Sequence, residues 1–337
     1  TELGGETSHG AILARAMDLP TVLGVPDAMQ QLADAPWVIV DGDLGRVLPD
    51  PPAATLAQYQ AAQARDAAAR AARESFRGRA TTLADGGAVR LFGNITSPDQ
   101  AKLVCDNDGE GIGLFRTEFL FLDRQTPPDE QTQLAAYRQV LQQMAGKPVI
   151  IRTLDIGGDK EAPCLAREKE ENPFLGFRGI RYCLQRQDLF KTQLRALARA
   201  SADGPLSILL PMVTGVEEVR AARALLREVL EELEADGIAY DKSLRLGVMI
   251  ETPAAALTAD LLAQEADFFS IGTNDLTGYT MAADRGNANV AYLYTPLSPA
   301  VLRAIRGSIA AAKAAGIPAG MCGEAAADPR LIPLLLS

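Results

Sequence analysis

The chain contains a single histidine, His9, and its surroundings favour phosphoryl chemistry. Two glycines, Gly4 and Gly5, and two hydroxyl residues, Thr7 and Ser8, lead into it at the start of a predicted helix. Glycines let the backbone approach a ligand closely, and the free N–H groups of a first helical turn favour an anion. A lone histidine is more often structural. This setting nevertheless predicts that His9 holds a phosphoryl group.

A second set of chemically active residues stands directly after apolar runs that are predicted to be strands. The set consists of Arg116, Arg152, Glu251, Asn274, Asp275 and Cys322. The carboxyl ends of the strands of a parallel barrel form its catalytic face, so we expect these side chains at one rim. Arginines gathered there would bind carboxylate or phosphate through two parallel hydrogen bonds.

Glu251 and Asp275 form a candidate metal site. They follow the fifth and sixth predicted strands of the main repeat, with Asn274 beside them. Few, hard oxygen ligands suit Mg²⁺, which completes its octahedron with substrate and water. The alternative is that Glu251, which precedes Thr252 and Pro253, only caps a helix.

Cys322 is a candidate proton donor. Gly320 and Gly323 flank it and are expected to leave the thiol open on one side. An accessible thiol with a pKa near the reference value of about 8.5 is protonated at neutral pH and can donate its proton. The alternative is a buried, inert thiol, which is the usual state of a cysteine.

The elements that would position these residues alternate between strand and helix from about residue 87 onwards. Strands are predicted at Val89–Ile95, Gly111–Phe115, Pro148–Ile151, Leu206–Leu210, Leu244–Ile250, Asp267–Ile271 and Ile317–Met321. Helices are predicted at 98–106, 130–145, 187–200, 216–236, 253–265 and 299–315. This order predicts an α/β fold, with a (β/α)8 TIM-type barrel as the leading architecture and an open doubly wound sheet as the alternative. No glycine fingerprint for dinucleotides follows the first strand, and no eighth strand is predicted before Ser337.

The first fifty residues predict a smaller α/β piece. The helix of His9 is followed by predicted short strands at Thr21–Val25, Trp37–Val40 and Gly45–Leu48, and a long helix is predicted over 53–77. We therefore expect part of a swivelling phosphohistidine domain over 1–50, a helical linker over 51–80 and the barrel over 81–337.

Composition narrows the class of partner. The 337 residues include 43 acidic and 33 basic side chains, a net charge of −10, which argues against nucleic acid or an anionic membrane surface. No leader peptide or apolar run of about 18 residues is present, so we expect a cytoplasmic protein. The four cysteines lie far apart, without the spacing of a zinc site.

The motifs together resemble one family, enzyme I of the bacterial phosphoenolpyruvate:sugar phosphotransferase system, over essentially the whole chain. The matching stretches are Gly4–His9, Leu114–Phe121, Arg152–Lys160, Glu171–Arg178, Ile250–Ala254, Ile271–Thr277, Asp284–Asn287 and Gly320–Glu324. The resemblance implies a phosphotransferase that phosphorylates His9 from phosphoenolpyruvate, releases pyruvate and passes the phosphoryl group to the carrier protein HPr. It also implies a homodimer formed through the barrel.

The resemblance assigns a role to each site residue. Phosphoenolpyruvate would be held by Arg116, Arg152, Arg178, Asn274, Asp275 and Arg285. Glu251 and Asp275 would bind Mg²⁺, and Cys322 would protonate the enolpyruvate carbon. These roles agree with phosphoryl transfer, which depends mainly on positioning and on neutralising charge.

The chain departs from the family pattern at Gly278, where glutamine is usual, and at Gly10, where a hydroxyl residue is usual. The HPr-docking domain and the last barrel unit are also missing from these residues, so we expect a fragment of a free-standing or fused enzyme. Two alternatives stay open. One is an enzyme of the pyruvate phosphate dikinase or phosphoenolpyruvate synthase type, and the other is a non-catalytic module that senses phosphoenolpyruvate and dimerises.

Overall fold

The computed structural model describes residue 14 and residues 19–83, 85–122, 124–157, 162–165, 170–284, 286–287 and 289–336. The chain divides into two compact units, Thr1–Arg79 and Ala80–Ser337. The assignment of residues 1–50 to a phosphohistidine domain and of 51–80 to a linker stays a prediction.

The described part of the first unit consists of a short helix, a hairpin and a long helix. In chain order these are α1 (Ala28–Leu32), β1 (Val38–Asp41), β2 (Arg46–Pro49) and α2 (Ala53–Glu74). The two strands pair antiparallel. The Asp41 carboxylate accepts hydrogen bonds from the Leu44 backbone N–H at 2.9 Å and from the Tyr59 hydroxyl at 2.7 Å. One carboxylate therefore closes the hairpin turn and joins it to α2.

Two differences from the sequence predictions concern this unit. Within the described residues, Thr21–Val25 forms no strand, so that prediction is wrong. Gly24 has a φ of 68°, in the left-handed region, which interrupts an extended run. The long helix is present, but regular helix ends at Glu74 rather than at residue 77.

The second unit is built on one parallel sheet, which has seven strands in the described part of the chain. They are β3 (Phe92–Ile95), β4 (Gly111–Arg116), β5 (Val149–Arg152), β6 (Leu206–Leu210), β7 (Arg245–Ile250), β8 (Phe269–Ile271) and β9 (Ala319–Met321). Each strand pairs in parallel with the next one in sequence. This sequential order is that of a barrel and not of a doubly wound sheet.

Helices separate the strands. They are α3 (Gln100–Asp106), α4 (Glu130–Met144), α5 (Ile180–Gln185), α6 (Gln187–Ala200), α7 (Val216–Ala235), α8 (Pro253–Leu257), α9 (Ala259–Leu262), α10 (Thr273–Met281), α11 (Pro299–Ala315) and α12 (Ile332–Leu335). The helix predicted over 253–265 is broken at Thr258, whose hydroxyl donates a hydrogen bond to the Ala254 carbonyl at 2.9 Å. Among the described helices, none has both the length and the apolar composition needed to cross a membrane.

Alternating residues of the strands pack on opposite faces of the sheet. Ile208 and Leu210 of β6 belong to the large core beneath the helices, whereas Leu209 between them joins a small apolar cluster on the other face. That inner cluster also contains Phe268 and Cys322. Both faces are therefore apolar and buried, as a parallel sheet requires.

The sheet curls until its two edge strands approach each other. The Asn94 side chain of β3 donates a hydrogen bond of 2.6 Å to the carbonyl of Cys322, the residue after β9. In the described chain, β3 and β9 share no backbone pairing. The predicted α/β class with a TIM-type parallel sheet is confirmed. The strands are up to three residues shorter at their starts than predicted, as at Phe92.

Candidate active site

A pocket of about 570 Å³, open solvent included, lies at the carboxyl ends of the parallel strands. Its walls are formed by Leu114, Arg116, Arg152, Asp155, Gly157, Phe174, Arg178, Met249, Glu251, Gly272, Asn274, Asp275, Cys322 and Gly323. The six residues that follow predicted strands are all in this set, as is Arg178. The sheet thus brings together side chains that lie more than 200 residues apart, at the face where barrels hold their active sites.

Three arginines reach the pocket from two kinds of element. Arg116 and Arg152 are the last residues of β4 and β5 and are partners in the strand register. Arg178 comes from the loop before α5. Arg152 and Arg178 are only 6% and 7% exposed. Arg116 is half-buried and forms no ion pair with a carboxylate in the described part of the chain.

Asp155 fixes two of these arginines relative to each other. Its carboxylate accepts two parallel hydrogen bonds from Arg178, at 2.8 Å from Nε and 2.7 Å from Nη2. Nη1 of Arg152 lies 3.1 Å from the same carboxylate. Because Asp155 is buried, these charge-assisted contacts are little weakened by water. Asp155 therefore serves as the shared counter-ion of the arginine pair.

Glu118 is a second buried counter-ion. One of its carboxylate oxygens accepts a hydrogen bond from Nη2 of Arg152. Burial lowers the pKa of Arg152, but the negative charges of Glu118 and Asp155 outweigh it, so the net pKa is raised. Arg152 is therefore a permanent cation, held on one side by Glu118 and on the other by Asp155.

Three carboxylates form an acidic cluster next to the arginines. The oxygens of Asp155, Glu251 and Asp275 lie within 4.8 Å of one another. Burial, followed by the nearby charges of Asp275 and Asp155, raises the pKa of Glu251 to about 8. Since ionised Glu251 is costly in this setting, a cation among the three carboxylates would stabilise it.

Glu251 does not cap the helix that follows it. The side chain of Thr252 accepts the hydrogen bond from the Ala255 backbone N–H at 3.1 Å and caps α8. The Glu251 carboxylate accepts one from the backbone N–H of Met212 at 2.7 Å. The helix-cap alternative for Glu251 is therefore wrong, and its carboxylate belongs to the pocket.

Cys322 lines the pocket with a thiol that is nearly buried. The residue is 3% exposed, which differs from the open thiol expected from its flanking glycines. Glycine is required at position 323 for close packing, because a Cβ there would come within 1.8 Å of the Thr273 side chain. Burial raises the pKa of Cys322 to about 11. The thiol is thus protonated at neutral pH, and its ionised fraction is smaller than that of a thiol with the reference pKa.

Asn274 joins the ends of two strands. Its side-chain oxygen accepts a hydrogen bond from the Glu324 backbone N–H at 3.0 Å, and its backbone carbonyl accepts one from the Tyr294 hydroxyl at 2.8 Å. The side chain is therefore fixed at the pocket wall. Its NH₂ group makes no hydrogen bond within the described residues.

His9, Gly10 and Arg285 lie outside the described residues, as do Gly4, Gly5, Thr7 and Ser8, which were also singled out from the sequence. Gly278 lies in α10, where a Cβ would only come into ordinary contact, 3.5 Å from the Ala283 carbonyl oxygen. A Cβ therefore fits at this position without displacing its neighbours.

Sequence reasoning missed Asp155 and Glu118 as members of the site. Each lies two or three residues beyond a strand end, past the position that the strand-end argument considers. Their importance comes from ion pairs with Arg152 and Arg178, which join separate elements. The sequence does contain a pattern that could have indicated them: an acidic residue follows each of the two arginines that end β4 and β5, two residues later at Glu118 and three residues later at Asp155.

Comparisons with known proteins agree with this picture. Residues 70–337 match the family model described as the phosphoenolpyruvate (PEP)-binding domain of PEP-utilising enzymes, and residues 1–45 match the mobile domain of these enzymes. The phosphoenolpyruvate-protein phosphotransferases of Bacillus sp. (strain S) and Geobacillus stearothermophilus are each 52% identical to the chain over 337 residues. The alignment covers 100% of this chain but 58% of each relative.

A solved structure, a HpcH/Hpal aldolase/citrate lyase family protein from Burkholderia cenocepacia J2315, matches with a TM-score of 0.45 at 15% identity. That match covers 72% of this chain and 83% of the other.

The family match over residues 70–337 includes every described residue of the pocket. The chain therefore belongs to the PEP-utilising enzymes.

Proposed function

We propose that this chain takes the phosphoryl group of phosphoenolpyruvate onto His9 and releases pyruvate, as part of a phosphoenolpyruvate-protein phosphotransferase. The observation that carries the proposal is the pocket itself, in which buried arginines, clustered carboxylates and a protonated thiol meet. In the whole protein the phosphoryl group then passes to HPr. The names of the relatives that are 52% identical support this reading.

The arginines bind the anionic substrate. Arg152 and Arg178 are held by Asp155, so their guanidinium groups are oriented before the substrate arrives. Arg116 has no described carboxylate partner and offers its charge to the ligand. Preorganised cations of this kind stabilise the charge that develops on a transferring phosphoryl group. We assign Arg285 to the same role from the resemblance.

The acidic cluster fits a divalent cation, which we propose is Mg²⁺. Glu251 and Asp275 would hold it through carboxylate oxygens, since both oxygens of Asp155 pair with Arg178, whereas in the described contacts only Oδ2 of Asp275 meets Arg178, at 3.3 Å. The raised pKa of Glu251 supports this assignment, because burial and the charges of Asp275 and Asp155 disfavour its ionised form. When bound, the cation supplies charge neutralisation for the phosphoryl oxygens.

Cys322 completes the reaction. The bond between phosphorus and the enol oxygen breaks as a bond between phosphorus and a His9 nitrogen forms, which leaves the enolate of pyruvate. The Cys322 thiol gives its proton to the methylene carbon of the enolate, and the resulting thiolate recovers a proton from water. A thiol with a pKa of about 11 stays protonated at neutral pH, so its proton is available when the enolate carbon, a strong base, forms beside it.

Labelled phosphoenolpyruvate tests the proposal. The chain is incubated with phosphoenolpyruvate, labelled in its phosphoryl group, and Mg²⁺, and acid-labile label on the protein is measured together with pyruvate. We expect both in the unaltered chain. We expect neither in His9→Ala, although calorimetry should show that this variant still binds phosphoenolpyruvate.

Two results would contradict the proposal in different ways. Binding of phosphoenolpyruvate without label or pyruvate would support the non-catalytic sensing module. A phosphorylated His9→Ala would show that another residue is the nucleophile. HPr as the acceptor, a homodimer formed through the barrel and a cytoplasmic location stay predictions.

A further inference from the structure

A chain of buried polar groups runs behind the pocket, between the sheet and the helices. Its centre is Gln193 of α6, which is 1% exposed. Its side-chain oxygen accepts a hydrogen bond from the Leu154 backbone N–H at 2.9 Å. Its NH₂ group donates to the Thr117 hydroxyl at 3.2 Å and to the Tyr137 hydroxyl at 3.1 Å. Both N–H bonds and the oxygen are therefore used, which fixes the orientation of the amide.

The hydroxyl of Thr117 extends this chain to β5. It donates a hydrogen bond of 3.0 Å to the backbone carbonyl of Arg152. Gln193 thus holds the end of β5 at two points, through Thr117 at the carbonyl of Arg152 and directly at the N–H of Leu154. Strand β5 ends at Arg152. Beyond this end, the side chain of Gln193 accepts the hydrogen bond of the Leu154 backbone N–H in place of a neighbouring strand.

The supported segment carries the ion pairs of the pocket. It begins at Arg152 and leads to Asp155, and these side chains contact each other at 3.1 Å. Thr117 lies between Arg116 and Glu118, the second counter-ion of Arg152. One amide therefore links the ends of β4 and β5 next to the residue that carries the Arg152 guanidinium.

We infer that Gln193 is a positioning residue for phosphoenolpyruvate binding, acting through Thr117 and the backbone of residues 152–154 on Arg152 and Asp155. Gln193 does not line the pocket and touches no reacting group. The inference rests on the proposed function, because it takes phosphoenolpyruvate as the ligand of the pocket. A displacement of about 1 Å in a charged binding group is enough to lower its effectiveness severely.

The affinity for phosphoenolpyruvate in the presence of Mg²⁺ tests the inference. It is measured by calorimetry on the 337-residue chain, at temperatures well below unfolding, so that lost stability alone does not change it. Gln193→Leu keeps a similar volume and removes all three hydrogen bonds. We expect it to weaken binding about 10-fold to 100-fold.

Ser308→Ala is the control. It also removes a buried hydroxyl, but one in α11 that donates to the Ala304 carbonyl at 2.8 Å and makes no described contact with Gln193. We expect its affinity for phosphoenolpyruvate to equal that of the unaltered chain. Equal weakening in Ser308→Ala and Gln193→Leu would overturn the inference, since any buried polar loss would then have the same effect.

A second pair of variants decides the question if Gln193→Leu does not fold. Thr117→Val keeps the shape of the side chain and loses the hydroxyl, whereas Thr117→Ser keeps the hydroxyl. We expect weak binding in the valine variant and near-normal binding in the serine variant. Normal binding by a folded Thr117→Val would contradict the proposed route to Arg152.

A double-mutant cycle separates positioning from general damage. If Gln193 acts in part through Arg152, then Gln193→Leu should weaken binding by a smaller factor once Arg152 is replaced by alanine, and the remaining factor reports the route through Asp155. Additive losses would overturn the inference. If the unaltered chain itself does not bind phosphoenolpyruvate, the proposed function fails and the inference fails with it. If the unaltered chain and a folded Gln193→Leu bind equally well, only the inference fails.

Discussion

At the scale of single residues, the described pocket together with Glu118, the buried counter-ion behind it, contains one more carboxylate than guanidinium group. The carboxylates are Glu118, Asp155, Glu251 and Asp275, and the guanidinium groups are those of Arg116, Arg152 and Arg178. An anionic substrate would meet a net negative site if every carboxylate were ionised and nothing else were bound. The excess is located at Glu251, where a proton or a cation must compensate it. Substrate and cation binding are therefore expected to support each other.

Replacing Glu251 should reduce the response of the fold to Mg²⁺. A ligand that binds only the folded state raises the melting temperature, so Mg²⁺ should stabilise the unaltered chain relative to the same chain in a chelator. Glu251→Gln should show a much smaller shift. Glu231→Gln, a change at an exposed glutamate of α7, is the control and should respond like the unaltered chain. Equal shifts in all three proteins would show that Glu251 does not bind the cation.

Removing the thiol of Cys322 should slow pyruvate formation far more than it changes the affinity for phosphoenolpyruvate. A proton donor acts in the reaction and contributes little to ground-state binding, and general acid catalysis is worth about 10² to 10⁴ in rate. Cys322→Ala is compared with the unaltered chain by measuring pyruvate release and, separately, substrate affinity. An unchanged rate of pyruvate formation would show that the Cys322 thiol is structural and is not the proton donor.

The pH dependence of the rate gives an independent test of Cys322. Its pKa is raised to about 11, so the form that carries the proton persists to higher pH than in an ordinary thiol. The contribution of Cys322 should therefore be constant from pH 7 to about 10 and be lost only near its own pKa. An alkaline fall centred near pH 8.5 that disappears in Cys322→Ala would contradict the burial of this thiol.

The residues that bring the pocket together differ in how far sequence could predict them. Arg116 ends β4, and Glu251 and Cys322 directly follow β7 and β9, so the geometry of parallel strands is enough to place them at one rim. Asp155 and Gln193 were not predicted, because their roles arise from contacts across elements that are far apart in the chain. Such contacts leave no periodic signal in the sequence.

At the scale of elements, periodicity predicted the order of strands and helices but not their ends. The strand predicted from Val89 begins at Phe92, because pairing requires a neighbour as well as an apolar run. The helix α10 was not predicted after β8. Its sequence contains Gly278 and three threonines, which are poor helix formers, so tertiary packing overrides local preference there.

Glycine substitutions in α11 should change stability in opposite directions. Gly307 lies in the exposed interior of this helix, and a Cβ there would meet no atom within 4 Å. Gly307→Ala should therefore stabilise the chain by about 0.5–1 kcal/mol. Gly316 ends the same helix with a φ of 72°, so Gly316→Ala should destabilise it. Denaturant unfolding of both variants checks the signs. Stabilisation by both would show that the left-handed end of α11 is not required.

At the scale of the whole molecule, the proposed chemistry is divided between two units. The described residues that line the pocket lie in Ala80–Ser337, whereas His9 belongs to Thr1–Arg79. The sequence alone predicts both sets of residues, since each has its own local motif. The proposed transfer from the pocket to His9 would depend on the relation of the two units, which neither motif encodes.

This division predicts that binding and phosphorylation can be separated by cutting the chain. A protein of residues 80–337 retains the whole described pocket and should bind phosphoenolpyruvate, in the presence of Mg²⁺, with the affinity of the 337-residue chain. It should take up no label from phosphoenolpyruvate, because it lacks His9. Calorimetry and labelling are compared on the two proteins, with circular dichroism to confirm that the shorter one is folded. A folded 80–337 protein that binds much more weakly would show that residues before Ala80 contribute to the substrate site, and one that becomes phosphorylated would place the nucleophile in the barrel.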